Sequence, residues 1–340
     1  HYPIGDLKPE RTDSWEVGLD MKLFKDFNLG LSWYLANTFN QTFDPQISVS
    51  SGYTTIYLQT GYVRNTGLEL SLGYGHTWNN NFRWDSNFTL SHNKNKIKEL
   101  VRDYVHPETG ELINKDRLDV GGLGKARFIL KEGGTLGDLY TQSDLKRDDN
   151  GMVDIDPTGI VAIENNLPDI KLGSVFPKAN LAWSNHFSWK GISLSALFTA
   201  RIGGIVYSAT EAAMDQYGVS ERSALARDNG GVLVNNRTLV DAQNYYTTIG
   251  SESGLPQYYT YNATNVRLQE ASIGYLIPRK WLGNVCDIQV SVIGRNLWMI
   301  YNKAPFDPES VATTDNYYQG IDYFMLPSTR NIGFNVKINF

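Results

Sequence analysis

The chain has 340 residues, 41% of them hydrophobic, and a net charge of −5. No stretch approaches the ~18 consecutive apolar residues of a membrane-crossing helix, which excludes helical spans but not spanning strands, because half of each barrel strand is polar. A single cysteine, Cys286, excludes an intramolecular disulfide framework and a cysteine-rich metal site, and no basic run points to nucleic acid.

The chain starts at His1 without an initiator methionine, signal peptide or lipidation motif, and so reads as a fragment of a longer precursor. From there, period-two alternation recurs, which is the mark of strands with one apolar and one polar face. Trp15, Val17, Leu19, Met21 and Leu23 oppose Glu16, Gly18, Asp20 and Lys22. Leu29, Leu31, Trp33 and Leu35 oppose Gly30, Ser32, Tyr34 and Ala36. Leu68, Leu70, Leu72 and Tyr74 oppose Glu69, Ser71, Gly73 and Gly75. Phe82, Trp84, Phe88 and Leu90 oppose Arg83, Asp85, Asn87 and Thr89, with Ser86 a polar exception on the apolar face.

Leu181, Trp183, Phe187 and Trp189 form the next apolar face, with Asn185 a second exception. Leu194, Ala196, Phe198 and Ala200 follow. Between residues 265 and 277 the phase changes: Val266 and Leu268 lie in one phase, Ile273, Tyr275 and Ile277 in the other, which predicts a β-bulge near Glu270. Cys286 joins Ile288, Val290 and Val292 on an apolar face. The chain finishes on Ile332, Phe334, Val336, Ile338 and Phe340 against Asn331, Gly333, Asn335, Lys337 and Asn339. Most runs have about ten residues, the length of a tilted membrane-spanning strand.

The connections alternate too. Residues 25–28, 79–81, 190–191 and 278–284 are short; 40–63, 95–177, 203–264 and 301–328 are long. Short turns on one side and long loops on the other are the outer-membrane barrel pattern, which a soluble sandwich has no reason to follow. Phe187, Trp189, Tyr275 and Trp281, with Trp78 and Phe82, flank short turns as an interfacial aromatic girdle would. Nine strands are clear, and a hairpin through 128–130 and 136–140 adds two if it joins the wall. Either total is odd, whereas a bacterial single-chain barrel closes on an even number. The fold class expected is all-β: a transmembrane antiparallel β-barrel, of which residues 1–340 supply the C-terminal part.

Five segments, in order, carry a family resemblance. They are Leu7-Lys8-Pro9-Glu10-Arg11-Thr12 with Trp15-Glu16-Val17-Gly18-Leu19-Asp20; Asn65-Thr66-Gly67-Leu68-Glu69-Leu70; Val266-Arg267-Leu268 through Gly274-Tyr275-Leu276-Ile277-Pro278; Gly294-Arg295-Asn296-Leu297 with Phe306-Asp307-Pro308-Glu309; and Pro327-Ser328-Thr329-Arg330. Together they resemble the SusC/RagA family of TonB-dependent outer-membrane transporters of Bacteroidetes. That resemblance implies a 22-stranded barrel with an N-terminal plug and a TonB-contacting segment, both absent from this chain. It further implies a SusD-like surface lipoprotein as lid, and energised import of oligosaccharides or peptides. The family often carries a calcium-type loop after a Gly-Asp pair. Here Gly137-Asp138 is followed by 146–154, which offers Lys146 and Pro157 where an EF-hand-type loop wants a carboxylate and a bidentate Glu. Asp148, Asn150 and Asp154 remain, and a solvated acidic turn is the preferred reading, with no metal or cofactor assigned.

For catalysis the sequence offers little. His1, His76, His92, His106 and His186 are scattered, and there is no Gly-x-Ser-x-Gly elbow or phosphate-binding fingerprint. Loop aromatics suit binding better. Tyr245, Tyr246, Tyr258 and Tyr259 in one loop, and Tyr317, Tyr318, Asp322 and Tyr323 in the last, are candidate substrate contacts. Docking of a lid protein or plain loop packing would use the same residues. Glu69 and Arg83 are expected as a wall salt bridge or plug contact. The function expected is a TonB-dependent importer in the bacterial outer membrane. The alternatives are a passive porin-like or structural barrel and, further off, a soluble β-rich binding protein.

Overall fold

Strands that alternate apolar and polar residues can satisfy their backbone only by pairing side by side, and here they pair strictly in sequence. The computed structural model describes residues 9–45, 52, 54–79, 81–105, 110, 112–251, 254–313 and 318–339. Nine strands form one antiparallel meander, each bonded to its neighbours in sequence order. They are β1 (Arg11–Leu23), β2 (Phe27–Phe43), β3 (Leu58–Thr77), β4 (Arg83–Glu99), β5 (Ala179–Trp189), β6 (Ile192–Ile202), β7 (Asn265–Ile277), β8 (Asp287–Asn302) and β9 (Asn331–Asn339). The sheet is open, with β1 and β9 at its two edges.

Register carries the apolar face across the whole sheet. Leu19 lies opposite Leu31, Leu31 opposite Leu70, Leu70 opposite Leu90 and Leu90 opposite Leu181. Further along, Leu194 faces Ile273, Ile273 faces Val292 and Val292 faces Phe334. This face is not a core: Trp15 is 74% exposed, Ile332 73% and Phe334 82%. A continuous apolar surface of this kind on strands is what lipid covers. Its two polar exceptions answer each other. Ser86 and Asn185 are direct cross-strand partners, and they accept the indole N–H groups of Trp183 (3.0 Å) and Trp84 (3.1 Å). Their polarity is spent within the wall.

The opposite face carries small and polar residues. Tyr34 lies directly across from Gly67, and a Cβ on Gly67 would sit 2.2 Å from the Tyr34 ring. Glycine in the Asn65–Leu70 motif is therefore the space in which an aromatic lies against the wall. The bulge expected near Glu270 is present: Leu197 pairs with Glu270 but Phe198 with Leu268, so Gln269 is the extra residue.

Two expectations are corrected. The wall strands β2, β3 and β4 run to 17–20 residues rather than about ten. Alternation in the sequence fades where the wall leaves the apolar layer, but backbone pairing continues because it does not depend on what each face meets. The hairpin at Gly133-Gly134 does form, but within a separate four-stranded sheet of Arg117–Leu123, Ala126–Lys131, Asp138–Thr141 and Ile170–Ser174, so it adds nothing to the wall count.

The wall's orientation to lipid yields a first prediction. Leu31 lies midway between Phe27 at the short-turn side and Leu35, so Leu31→Arg places a charge near the bilayer midplane. The expected cost is about 2–4 kcal/mol in urea unfolding from lipid vesicles. Ser32→Arg, one residue on and beside Glu16 on the polar face, should cost far less; Ser32 already donates to Glu16 at 2.7 Å.

Candidate functional site: the loop cap above the lumen wall

The buried core of this protein lies in its long loops. Phe128, Leu130, Leu139, Leu145, Val175, Ile249, Leu255 and Tyr259 pack together almost without exposure. Between β6 and β7 the chain folds three helices, α1 (Ala209–Gln216), α2 (Glu221–Asp228) and α3 (Ala242–Ile249). Each starts on a side-chain cap, from Ser208, Ser220 and Asp241 respectively.

Ser208 also ties two loops together. Its hydroxyl accepts from the Glu211 N–H at 3.0 Å and donates to Asp322 at 2.6 Å. Ile205–Ser208 runs parallel to Ile321–Asp322 and antiparallel to Thr260–Asn262. Beneath α1 sits a buried polar network. Asp215, 1% exposed, accepts hydrogen bonds from Arg222 Nε (2.9 Å), Tyr259 Oη (2.8 Å) and the Ser220 hydroxyl. The Arg222 guanidinium lies 4.8 Å from the Tyr259 ring centre.

The β8–β9 loop is held by a second cluster. Arg267, nearly fully buried, donates to Asp307 at 2.9 Å and reaches Glu309 at 3.2 Å, while Asn265 steadies its Nε. Ser328 donates to the same Asp307 at 2.6 Å. Three of the sequence motifs thus converge on one carboxylate. Burial pushes Asp307 upward, but the hydrogen bonds from Arg267 and Ser328 outweigh this and hold its carboxyl below the usual range. In the β4–β5 loop, Arg117 and Lys131 grip Asp169 at 2.7 and 2.9 Å, and hydrogen bonding from Arg117 foremost holds its pKa down at about 2.

The predicted site residues sort by depth. Tyr259 is fully buried and bonded to Asp215; Asp322 is buried on Ser208; Tyr246 is buried against the Arg222 carbonyl. These three serve the cap's interior. Tyr245 and Tyr258 are partly buried, and burial pushes Tyr245 to about 12, so it stays a hydrogen-bond donor at neutral pH. Tyr318 and Tyr323 are exposed, in edge contact with Phe128 and Phe324. Tyr317 lies outside the described residues. Glu69 and Arg83 do not pair: Glu69 stands across from Ser91, and Arg83 forms a two-pronged bond with Asp85, two residues along its own strand. In the acidic turn, Asp148 accepts the backbone N–H groups of Asn150 and Met152, and Asp154 pairs with Lys146 at 2.6 Å.

Below the cap, the polar wall face forms a hollow of about 790 Å³ lined by Glu16, Asp20, Glu69, Arg201 and Glu309 among small residues. A second hollow of about 660 Å³, toward the short turns, is lined by Lys22, Asp26, Arg83, Asp85, His186 and Glu270. Sequence reasoning missed Asp215 and Arg222, which lie in a stretch read as long loop, whereas the alternation already places Arg201 on the polar face of its strand.

A lipid-facing apolar surface, a polar inner wall, short turns below and folded loops above define the wall of an outer-membrane β-barrel. Residues 1–111 match the TonB dependent receptor-like β-barrel family. TonB-dependent receptor P3 of Formosa agariphila is 25% identical over 98% of this chain and 34% of the relative, and TonB-dependent receptor P26 of the same organism is 24% identical over 98% and 35%. The chain spans about a third of the length of these curated relatives. Among solved structures, the RagAB peptide importer in its closed-closed state superposes with a TM-score of 0.69 over 97% of this chain and 35% of that one, at 18% identity. Its open-open state gives 0.67 over 98% and 35%, also at 18% identity. Over residues 1–111 by family model, and over nearly its whole length by these relatives, the chain is similar to the TonB-dependent receptor β-barrels, and its lipid-facing wall lies in the bacterial outer membrane.

Proposed function

We propose that this chain is the C-terminal half of the barrel of a TonB-dependent importer of oligosaccharides or peptides, working under a SusD-like surface lipoprotein. The plug and TonB-contacting segment belong to the remainder of the protein. The observation that carries this reading is the folded loop cap set over a polar, hollowed wall. A passive pore has no need of loops with their own helices, core and buried ion network. Exposed Tyr318 and Tyr323, and the partly buried Tyr245 and Tyr258, are the aromatics available to stack on sugar rings or cover peptide side chains. Exposed apolar side chains on the cap support a lid partner: Val219, Leu225 and the cross-strand pair Leu233 and Leu239. Kinship of fold with a peptide importer favours peptides as the first substrates to test.

The test is uptake by cells that depend on the full-length receptor for a peptide or oligosaccharide nutrient. Uptake is expected to cease when TonB is inactivated. Uptake that continues without TonB would establish a passive barrel instead.

A further inference from the structure

Above the lipid-facing layer, the outward face of the wall turns basic. Along β4 the residues in phase with Trp84, Phe88 and Leu90 are His92, Lys94, Lys96 and Lys98; along β3 the residue in phase with Leu68 is Arg64. Arg64 lies directly across from Lys96, and Lys98 feels the repulsion of both. Like charges placed opposite each other on adjacent strands are destabilising unless something neutralises them. Among the described residues, the hydrogen-bond partners of Arg64 are neutral, Asn37 at 2.8 Å and Tyr62. Among the described residues, Lys94, Lys96 and Lys98 have no carboxylate partner, and Asp13, further round the same face, is already bound to Arg11.

The height of this cluster is informative. Trp84 marks the aromatic belt at the short-turn side, where it stacks on Phe187. From Trp84 to Lys94 is about ten residues, and at ~3.3 Å per residue on a strand tilted ~40° that is a rise of about 25 Å. Lys94 therefore stands where the apolar layer ends and the headgroups of the outer leaflet begin, with Lys96 and Lys98 reaching into them. Beside Lys94, where β4 continues beyond the start of β5, a cleft of about 440 Å³ is lined by His92, Lys178, Phe176 and Ile205 as well. Cations next to apolar walls suit an amphiphile better than a free ion.

We propose that Arg64, Lys94, Lys96 and Lys98 form a binding site for the phosphorylated headgroup of an outer-leaflet glycolipid. The phosphate sits between β3 and β4 and accepts charge-assisted hydrogen bonds from the guanidinium and ammonium groups, relieving their mutual repulsion. The site is on the outside of the barrel and is independent of what the lumen carries.

The test uses the full-length receptor extracted from its membrane, stripped of lipid, and titrated with lipid A in native mass spectrometry. Dephosphorylated lipid A and inorganic phosphate serve as the other two probes. Phosphorylated lipid A is expected to bind at least about tenfold better than its dephosphorylated form, and the Lys94→Gln/Lys96→Gln/Lys98→Gln variant is expected to lose that preference. Lys25→Gln/Lys190→Gln, at the short-turn side, should keep it. In lipid-free detergent Lys96→Gln alone should raise the melting temperature, because repulsion then goes unanswered in the parent; this also reports that the variant folds. Equal binding of both lipid A forms, retention of the preference by the triple variant, or displacement of the lipid by inorganic phosphate at comparable concentration would each overturn the proposal.

Discussion

Arg267→Met is expected to release the β8–β9 loop while leaving the wall in place. The guanidinium is nearly fully buried and satisfies Asp307 and Glu309 together. Removing it strands Asp307, itself mostly buried, with Ser328 as its remaining side-chain donor. Breaking one side of a buried ion pair costs about 3–5 kcal/mol, far more than an exposed pair is worth. The readout is hydrogen exchange and limited proteolysis across residues 303–330, with strands β2 to β4 as the internal reference. Arg267→Lys should fall between parent and Met, because an ammonium cannot span the two carboxylates as a planar fork does. The same lock has an acid limit. Asp307 is depressed in the folded state, so its contribution is complete above the ordinary carboxylate range, near pH ~4, and is lost as the pH falls through the folded value.

Asp215→Ala should have an effect of similar size on the cap. Arg222, Tyr259 and Ser220 all direct polar hydrogens at this one carboxylate. Its loss leaves a half-buried cation and a fully buried phenol without their acceptor. A cost of about 3–5 kcal/mol to the α1–α3 unit follows. Tyr259→Phe removes a single bond while keeping the ring under Arg222, and should cost only about 1–2 kcal/mol. The two variants, followed by hydrogen exchange in the full-length receptor, separate loss of the network from loss of one member. In both, the strands keep their protection through the lipid-facing layer, since the wall side chains that join the cap's core, Phe43, Leu58, Val63 and Ile97, lie near the loop ends of β2, β3 and β4.

The wall was readable from sequence because lipid imposes a strict rule. Every second residue from Trp15 to Leu23, or from Ile332 onward, must be apolar, and that periodicity survives with no knowledge of neighbours. Ser86 and Asn185 broke the rule visibly, and only the register shows why they are tolerated: they face each other and take the Trp84 and Trp183 indoles. The cap was far less legible. Its helices are about two turns long, too short for a 3.6-residue period to stand out, and their stability comes from burial against other loops. The capping signal Ser208-x-x-Glu211 was present in the sequence and would have located α1. The Tyr259–Asp215 and Arg267–Asp307 contacts join residues about forty positions apart, and no local pattern announces them. Tyr259 and Asp322 looked like ligand contacts for the same reason that they make good core residues: a large ring and a strong acceptor serve either end.

One face of the sheet meets lipid and the other meets the lumen. The most direct test is a cysteine scan along β9 of the full-length receptor in lipid vesicles, in a Cys286→Ser background, with a spin label at each position from Ile332 to Ile338. Labels at 332, 334, 336 and 338 are expected to be accessible to oxygen and shielded from a water-soluble nickel chelate, and those at 333, 335 and 337 to be shielded from oxygen. A flat profile, or alternation in the opposite phase, would contradict the placement of this chain as an outer-membrane barrel wall.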